Sequence, residues 1–139
     1  MTYQSVETIG EGDAHGLGAR RRGVERMLDL ARVLPADERG LIEAVYRDGR
    51  STTEIARAVG LPPRRYQRKL NGIIKRMRDP MFRFVAEGPD RLPPETRPVA
   101  RRVVLQGMSQ RRAADATGRS LHQVRMALQT VRTLCDACM

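Results

Sequence analysis

The chain has no tryptophan, and its 139 residues include only three Tyr and two Phe. Single-stranded nucleic acids are held largely by stacking bases on aromatic side chains, so this scarcity argues against a single-stranded ligand. Acids are also in deficit, 16 against 26 Lys and Arg, and they are scattered one by one. A nuclease or recombinase needs clustered carboxylates for a metal, or a nucleophile with a positioned base, so no catalytic residue, metal or cofactor is expected and the chain is read as a non-enzyme. No apolar run approaches the roughly 18 residues of a membrane span, and the first thirty residues lack the basic start and apolar stretch of a secretory signal. A cytoplasmic, nucleoid-associated protein without a membrane partner is expected. Cysteine is limited to Cys135 and Cys138, and histidine to His15 and His122. Two more ligands would be needed for zinc, so unpaired thiols in a C-terminal tail are the main expectation, against a zinc ion bridging two chains or a redox pair.

What is present in excess is positive charge, +10 formally with a pI near 11.1. That balance suits a polyanion, because each neutralised phosphate releases counterions. Arginine outnumbers lysine, which fits phosphate and guanine recognition, although a GC-rich coding sequence also enriches arginine. A chain of this length forms one ordinary domain or two small ones, and helical units of roughly 45 residues have thin cores that favour mutual packing.

Residues 1–19 carry Glu7, Glu11 and Asp13, no Lys or Arg, and several glycines, and are expected to form a disordered acidic tail. From Arg20 to Leu34 the spacing of Val24, Met27, Leu28 and Ala31 predicts an amphipathic leading helix. Its Arg20-Arg21-Arg22 start reads equally as a phosphate contact or a solvated charge run.

Sliding the sequence by 58 residues aligns Leu34–Met77 with Leu92–Cys135 without a gap and with ten identical pairs, Gly49/Gly107, Ser51/Ser109 and Gly60/Gly118 among them. About three would match by chance, so duplication is the simplest account. Each copy resolves into three helices. In the first, Leu41, Ile42 and Val45, then Ile55, Ala56 and Val59, then Tyr66, Leu70, Ile73 and Met77 recur at helical spacing. Ser51-Thr52-Thr53-Glu54 reads as a capping box, Gly60 as a stop, and Pro63 as the start of a third helix running to Arg78. The second copy repeats the plan, with Ser109 and Ser120 as caps and Leu121, Val124, Leu128, Val131 and Leu134 as the buried stripe. Residues 79–91 between the copies, holding Phe82 and Phe84, read as a linker whose aromatics plug a core gap or seal the units, with a partner-binding patch as the alternative. The expected fold is therefore all-α: a disordered tail (1–19), a first helix-turn-helix unit with its leading helix (20–78), a linker (79–91), a second tri-helical helix-turn-helix unit (92–135) and a short tail (136–139).

The run Gly49-Arg50-Ser51-Thr52-Thr53-Glu54-Ile55-Ala56-Arg57-Ala58-Val59-Gly60 resembles the helix-turn-helix of bacterial sigma factor region four, Gly-x-Ser-x-x-Glu-Ile-Ala-x-x-Leu-Gly. The likeness spans residues 34–77 and implies insertion of the following helix into the major groove of promoter DNA. The second copy departs from it, with Arg112 for the Glu and Ala113 for the Ile. Residues 106–124 also resemble plasmid repressors of the KorA type. Nothing in the chain supplies the aromatic residues with which a complete sigma factor holds the melted strand.

In a helix-turn-helix the second helix of the motif meets base edges and flanking helix ends meet phosphate. In the first copy Arg64, Arg65, Gln67, Arg68 and Asn71 are assigned to bases, and Ser51, Thr52, Lys69, Lys75 and Arg76 to phosphate. In the second, His122, Gln123, Arg125 and Gln129 are assigned to bases, and Ser109, Arg111 and Arg112 to phosphate. Between Pro63 and Arg78 there are seven basic residues and no acid, too one-sided for an ordinary solvated face. The function expected is sequence-specific regulation of transcription on double-stranded DNA, as a monomer or a homodimer. The alternative is an adaptor that contacts RNA polymerase, a sigma antagonist or another transcription protein, for which the less basic second copy leaves room.

Overall fold

The computed structural model describes residues 14–138, and among these every regular element is helical. Helix α1 (Ala14–Leu30) leads through a 3-10 turn, Ala31–Val33, into α2 (Ala36–Tyr46), α3 (Thr52–Val59) and α4 (Pro63–Arg78). Then come α5 (Pro80–Glu87), a second 3-10 turn, Pro89–Arg91, a short α6 (Arg97–Ala100) continued by the π-turn Arg101–Leu105, α7 (Gln110–Thr117) and α8 (Leu121–Ala137). The helices fall into two compact units. The first holds α1 and Ala36–Ile73, the second Val33–Pro35 and residues 74–138, so the boundary falls within α4. No helix among the described residues is long and apolar enough to cross a membrane.

Two elements differ from expectation. The acidic tail at residues 1–13 lies outside the described residues, but residues 14–19, expected to belong to it, are helical. Once the Val24–Leu30 stretch packs and pays the nucleation cost, extending a helix backwards adds one hydrogen bond per residue fixed. The segment 79–91, expected as a linker, is mostly helix. Asp79 caps α5 by accepting from the Met81 N–H at 2.9 Å, and Pro80 sits in the first turn, where its missing N–H is not needed. Met81, Phe82, Phe84, Val85 and Ala86 are buried, and α5 packs on α8 and the π-turn. Its aromatics therefore belong to the core of the second unit.

That core also contains Val99, Ala113, Ala114, Val124 and Ala127, with Val103, Met108 and Leu128 packed against it. In the first unit Leu41, Ile42, Val45, Ala56, Leu70 and Ile73 are buried, as their spacing predicts, and α1 packs on α2. Helical period explains both sets: residues three and four apart share a face, and each short helix offers one apolar stripe.

The backbone repeats with the same 58-residue offset as the sequence. Helices α3 and α7 begin and end at equivalent positions, as do the two 3-10 turns. Ser51 and Ser109 both cap, accepting from the N–H three residues on at 3.1 and 3.2 Å. Among the described residues the left-handed ones are Gly49, Gly60, Gly107 and Gly118. Shifted back by 58, α5 falls on residues 22–29, inside α1. The copies differ most at α2, whose counterpart is divided into α6 and the π-turn, with the Gln106 N–H reaching the Arg101 carbonyl at 3.0 Å.

Replacing Ser51 or Ser109 by Ala is expected to cost about 1 kcal/mol each in denaturant unfolding, the usual loss of an N-cap. Gly49 and Gly107 share a φ of +71°, but a Cβ at Gly49 meets open space, whereas one at Gly107 runs into the Arg76 guanidinium. Gly49→Ala should therefore cost about 1–2 kcal/mol from the left-handed backbone alone, and Gly107→Ala measurably more. Equal losses would show that Arg76 yields without penalty.

Candidate nucleic-acid interface

Helix α4 starts at Pro63, which follows the left-handed Gly60 that ends α3; the Leu61 N–H returns to the Ala56 carbonyl at 3.0 Å and closes the turn. Tyr66, Leu70, Ile73 and Met77 form its inner stripe, Leu70 wholly buried and Tyr66 half-buried. At 100° per residue the ridge directly opposite is Arg64, Arg68, Asn71 and Lys75, and all four are exposed. Arg65 is exposed on the flank.

Within the first unit a chain of hydrogen bonds ties the two helices of the turn together. The Thr52 hydroxyl donates to Gln67 Oε1 at 3.0 Å, and Gln67 Nε2 donates to Asn71 Oδ1 at 3.1 Å. Each amide keeps a second hydrogen or lone pair, so Gln67 and Asn71 are oriented without being consumed. In this arrangement the one hydroxyl hydrogen of Thr52, expected at phosphate, is engaged by Gln67 and helps to position it. Ser51 and Ser109 differ, since each cap uses the hydroxyl oxygen as acceptor and leaves the hydrogen available. At Ser51 the serine half of the expected capping box is formed.

Lys69, expected at phosphate or solvent, pairs with Asp37 at 2.9 Å. The Lys69 hydrogen bond and charge hold the Asp37 carboxyl below its ordinary value. Both side chains are exposed, so the pair contributes little; what it contributes is present at neutral pH and lost on acidification through the carboxylate range. Lys75 is exposed as expected. Arg76 is half-buried, and its Nε donates to the Leu105 carbonyl at 3.2 Å beside Gly107, an internal task that sequence spacing did not reveal.

In the second unit Val124, Ala127, Val131 and Cys135 are buried on α8. The ridge equivalent to that of α4 is His122, Met126, Gln129 and Thr133, exposed and without a fixed charge. Arg125 is exposed on the flank. Gln123 forms a two-way capping box with Ser120, its Oε1 accepting from the Ser120 N–H at 2.8 Å while its own N–H donates to Ser120 Oγ at 3.1 Å, which orients the amide and leaves its Nε2 hydrogens and one oxygen lone pair. Arg111 and Arg112 are exposed in the first turn of α7, where their placement suits phosphate. Cys135 lies buried in α8, with burial foremost among the causes that raise its thiol above the ordinary value, and Cys138 is exposed; neither is in a disulfide. The expected tail thiols are thus one core residue and one surface residue. Among the described residues, His, Cys, Asp and Glu form no group of three that could hold a metal ion.

Comparison with protein-family models, curated proteins and solved structures gives no match to this chain.

Proposed function

We propose that the chain is a sequence-specific, double-stranded-DNA-binding regulator of transcription, built from two tandem helix-turn-helix units and related in design to sigma factor region four. The observation that carries this reading is the outer ridge of α4: Arg64, Arg68, Asn71 and Lys75 stand opposite the buried stripe of a helix with seven basic residues and no acid. Arginine bridges guanine O6 and N7, and the Gln67–Asn71 pair offers the donor and acceptor that adenine requires. Arg65, on the flank, remains a base candidate, and Lys69 and Lys75 serve as phosphate contacts. Burial of Phe82 and Phe84 removes two of the five aromatic residues as stacking platforms, which favours duplex over single strands.

A second reading attaches to the second unit alone. Met126 is 55 % exposed in the middle of an uncharged ridge, which suits contact with a protein such as RNA polymerase or a sigma antagonist. Fluorescence anisotropy on duplex and single-stranded oligonucleotides over a range of salt tests the main reading. Duplex binding with a steep negative dependence of log affinity on log salt is expected; preference for single strands, or no binding to either, would overturn it.

A further inference from the structure

The second unit contains a cleft of about 410 Å³, and three of its lining residues, Arg76, Arg125 and Gln129, are also DNA-contact candidates. That volume falls in the range of small-molecule sites, about 300–1,000 Å³. Its floor is apolar, made by Met81, Val103, Val104 and Leu128, and Gln110 and Gln129 supply amides. Arg76, Arg125 and Arg132 line it with one acid, Asp79. Asp79 turns a carboxylate oxygen to the Met81 N–H as the cap of α5. Arg76 is held in place through the Leu105 carbonyl. Arg125 and Arg132 are two turns apart on α8, about 10 Å along the helix, and bracket Leu128 and Gln129.

A solvated flank of a basic protein would give a similar list, but comparison of the two copies speaks against that. At the positions of Arg76, Arg125 and Arg132 the first copy has Gly18, Gln67 and Ile74. On the outer ridge the exchange runs the other way, Arg64, Arg68 and Lys75 becoming His122, Met126 and Thr133. Positive charge present on the ridge in one copy is found around the cleft in the other. The polar positions follow suit: Thr52, Gln67 and Asn71 close on one another in the first copy, whereas their counterparts Gln110, Arg125 and Gln129 line the open cleft.

We propose that this cleft binds a small organic oxyanion, a phosphate monoester or carboxylate carried on an apolar body. Arg125 and Arg132 grip the oxyanion, Arg76 adds a fixed positive wall, and the Val103–Val104–Leu128 floor takes the apolar part. Guanidinium forks match both oxyanions, and partial withdrawal from water strengthens such bonds. The inference stands independently of whether the chain binds DNA.

Phenyl phosphate is the probe, titrated into the ¹⁵N-labelled full chain and followed by amide chemical shifts, with phenol and inorganic phosphate as controls that each lack half of the ligand. Saturable shifts confined to Val103, Val104, Gln110 and residues 125–132 are expected, with both controls about tenfold or more weaker. Arg125→Gln with Arg132→Gln should weaken phenyl phosphate by about tenfold or more while leaving the melting temperature unchanged, since both side chains are exposed. Shifts spread over the basic residues of both units, binding by the double variant equal to the parent, or response of these amides to duplex DNA but not to phenyl phosphate would each overturn the proposal.

Discussion

Replacing Arg64 and Arg68 together by alanine should weaken binding to the preferred duplex by about 30-fold at the least. Two-bond contacts to guanine contribute about 1–3 kcal/mol each of base discrimination, so the pair is expected to lose about 2–6 kcal/mol, at about 1.4 kcal/mol per tenfold. Both side chains are exposed on the ridge opposite the buried stripe of α4, so the variant should melt like the parent. Discrimination among duplex sequences should fall along with affinity, which separates base contacts from phosphate contacts. Lys75→Ala, by contrast, should weaken all duplexes alike and flatten the salt dependence by about one unit of slope. The matched change in the second copy, His122→Ala with Gln129→Ala, should have a much smaller effect, because its ridge carries no fixed charge. If that change proves the larger of the two, the second unit is the reader and the assignment of roles is reversed.

Phe82→Ala should be among the most destabilising single substitutions in the chain, about 3–5 kcal/mol by denaturant unfolding, the usual cost of emptying a phenylalanine site in a packed core. Phe82 is wholly buried on α5, which packs on α8 and the π-turn. A passive linker would tolerate the change within about 0.5 kcal/mol, as surface sites do. Phe84 is also buried, and the Arg91 guanidinium sits 4.4 Å from its ring centre. Because so small a unit has little core to spare, a loss of this size is expected to approach the entire stability of the second unit.

How much could be read in advance differs between these two regions for a physical reason. The 58-residue repeat was visible from Leu34 onward because its identities fall where few residues serve: Gly49/Gly107 and Gly60/Gly118 in left-handed conformation, Ser51/Ser109 as caps. Its upstream part was not visible, since residues 22–33 and 80–91 share no identical pair. Those positions ask only for apolar bulk, which Val24 and Phe82, or Met27 and Val85, supply interchangeably. Without that pairing, Pro80, Gly88 and Pro89 read as loop signals, when Pro80 opens a helix and Gly88 ends it. The outer face of α4 was legible because the inner stripe of Tyr66, Leu70, Ile73 and Met77 fixes it by period alone. Side-chain partnerships across elements were not: Thr52 with Gln67, Lys69 with Asp37 and Arg76 with the Leu105 carbonyl are separated by 15, 32 and 29 residues. The Ser120–Gln123 box was within reach of sequence reasoning, as serine followed three residues later by glutamine is a capping-box pattern. The cleft of the second unit depends on Arg76, Asp79 and Met81 meeting Arg125 and Arg132, a meeting that follows only from how α5 packs.

Selection from a pool of random duplex DNA at moderate salt, with sequencing of the retained fraction for the parent and for Arg64→Ala with Arg68→Ala, tests base reading by α4 most directly. Enrichment of a defined motif by the parent, and its relaxation at guanine positions in the variant, is the expected result. Retention without any motif, sensitive to salt alone and equal in parent and variant, would contradict it and leave non-specific charge attraction as the only interaction with DNA.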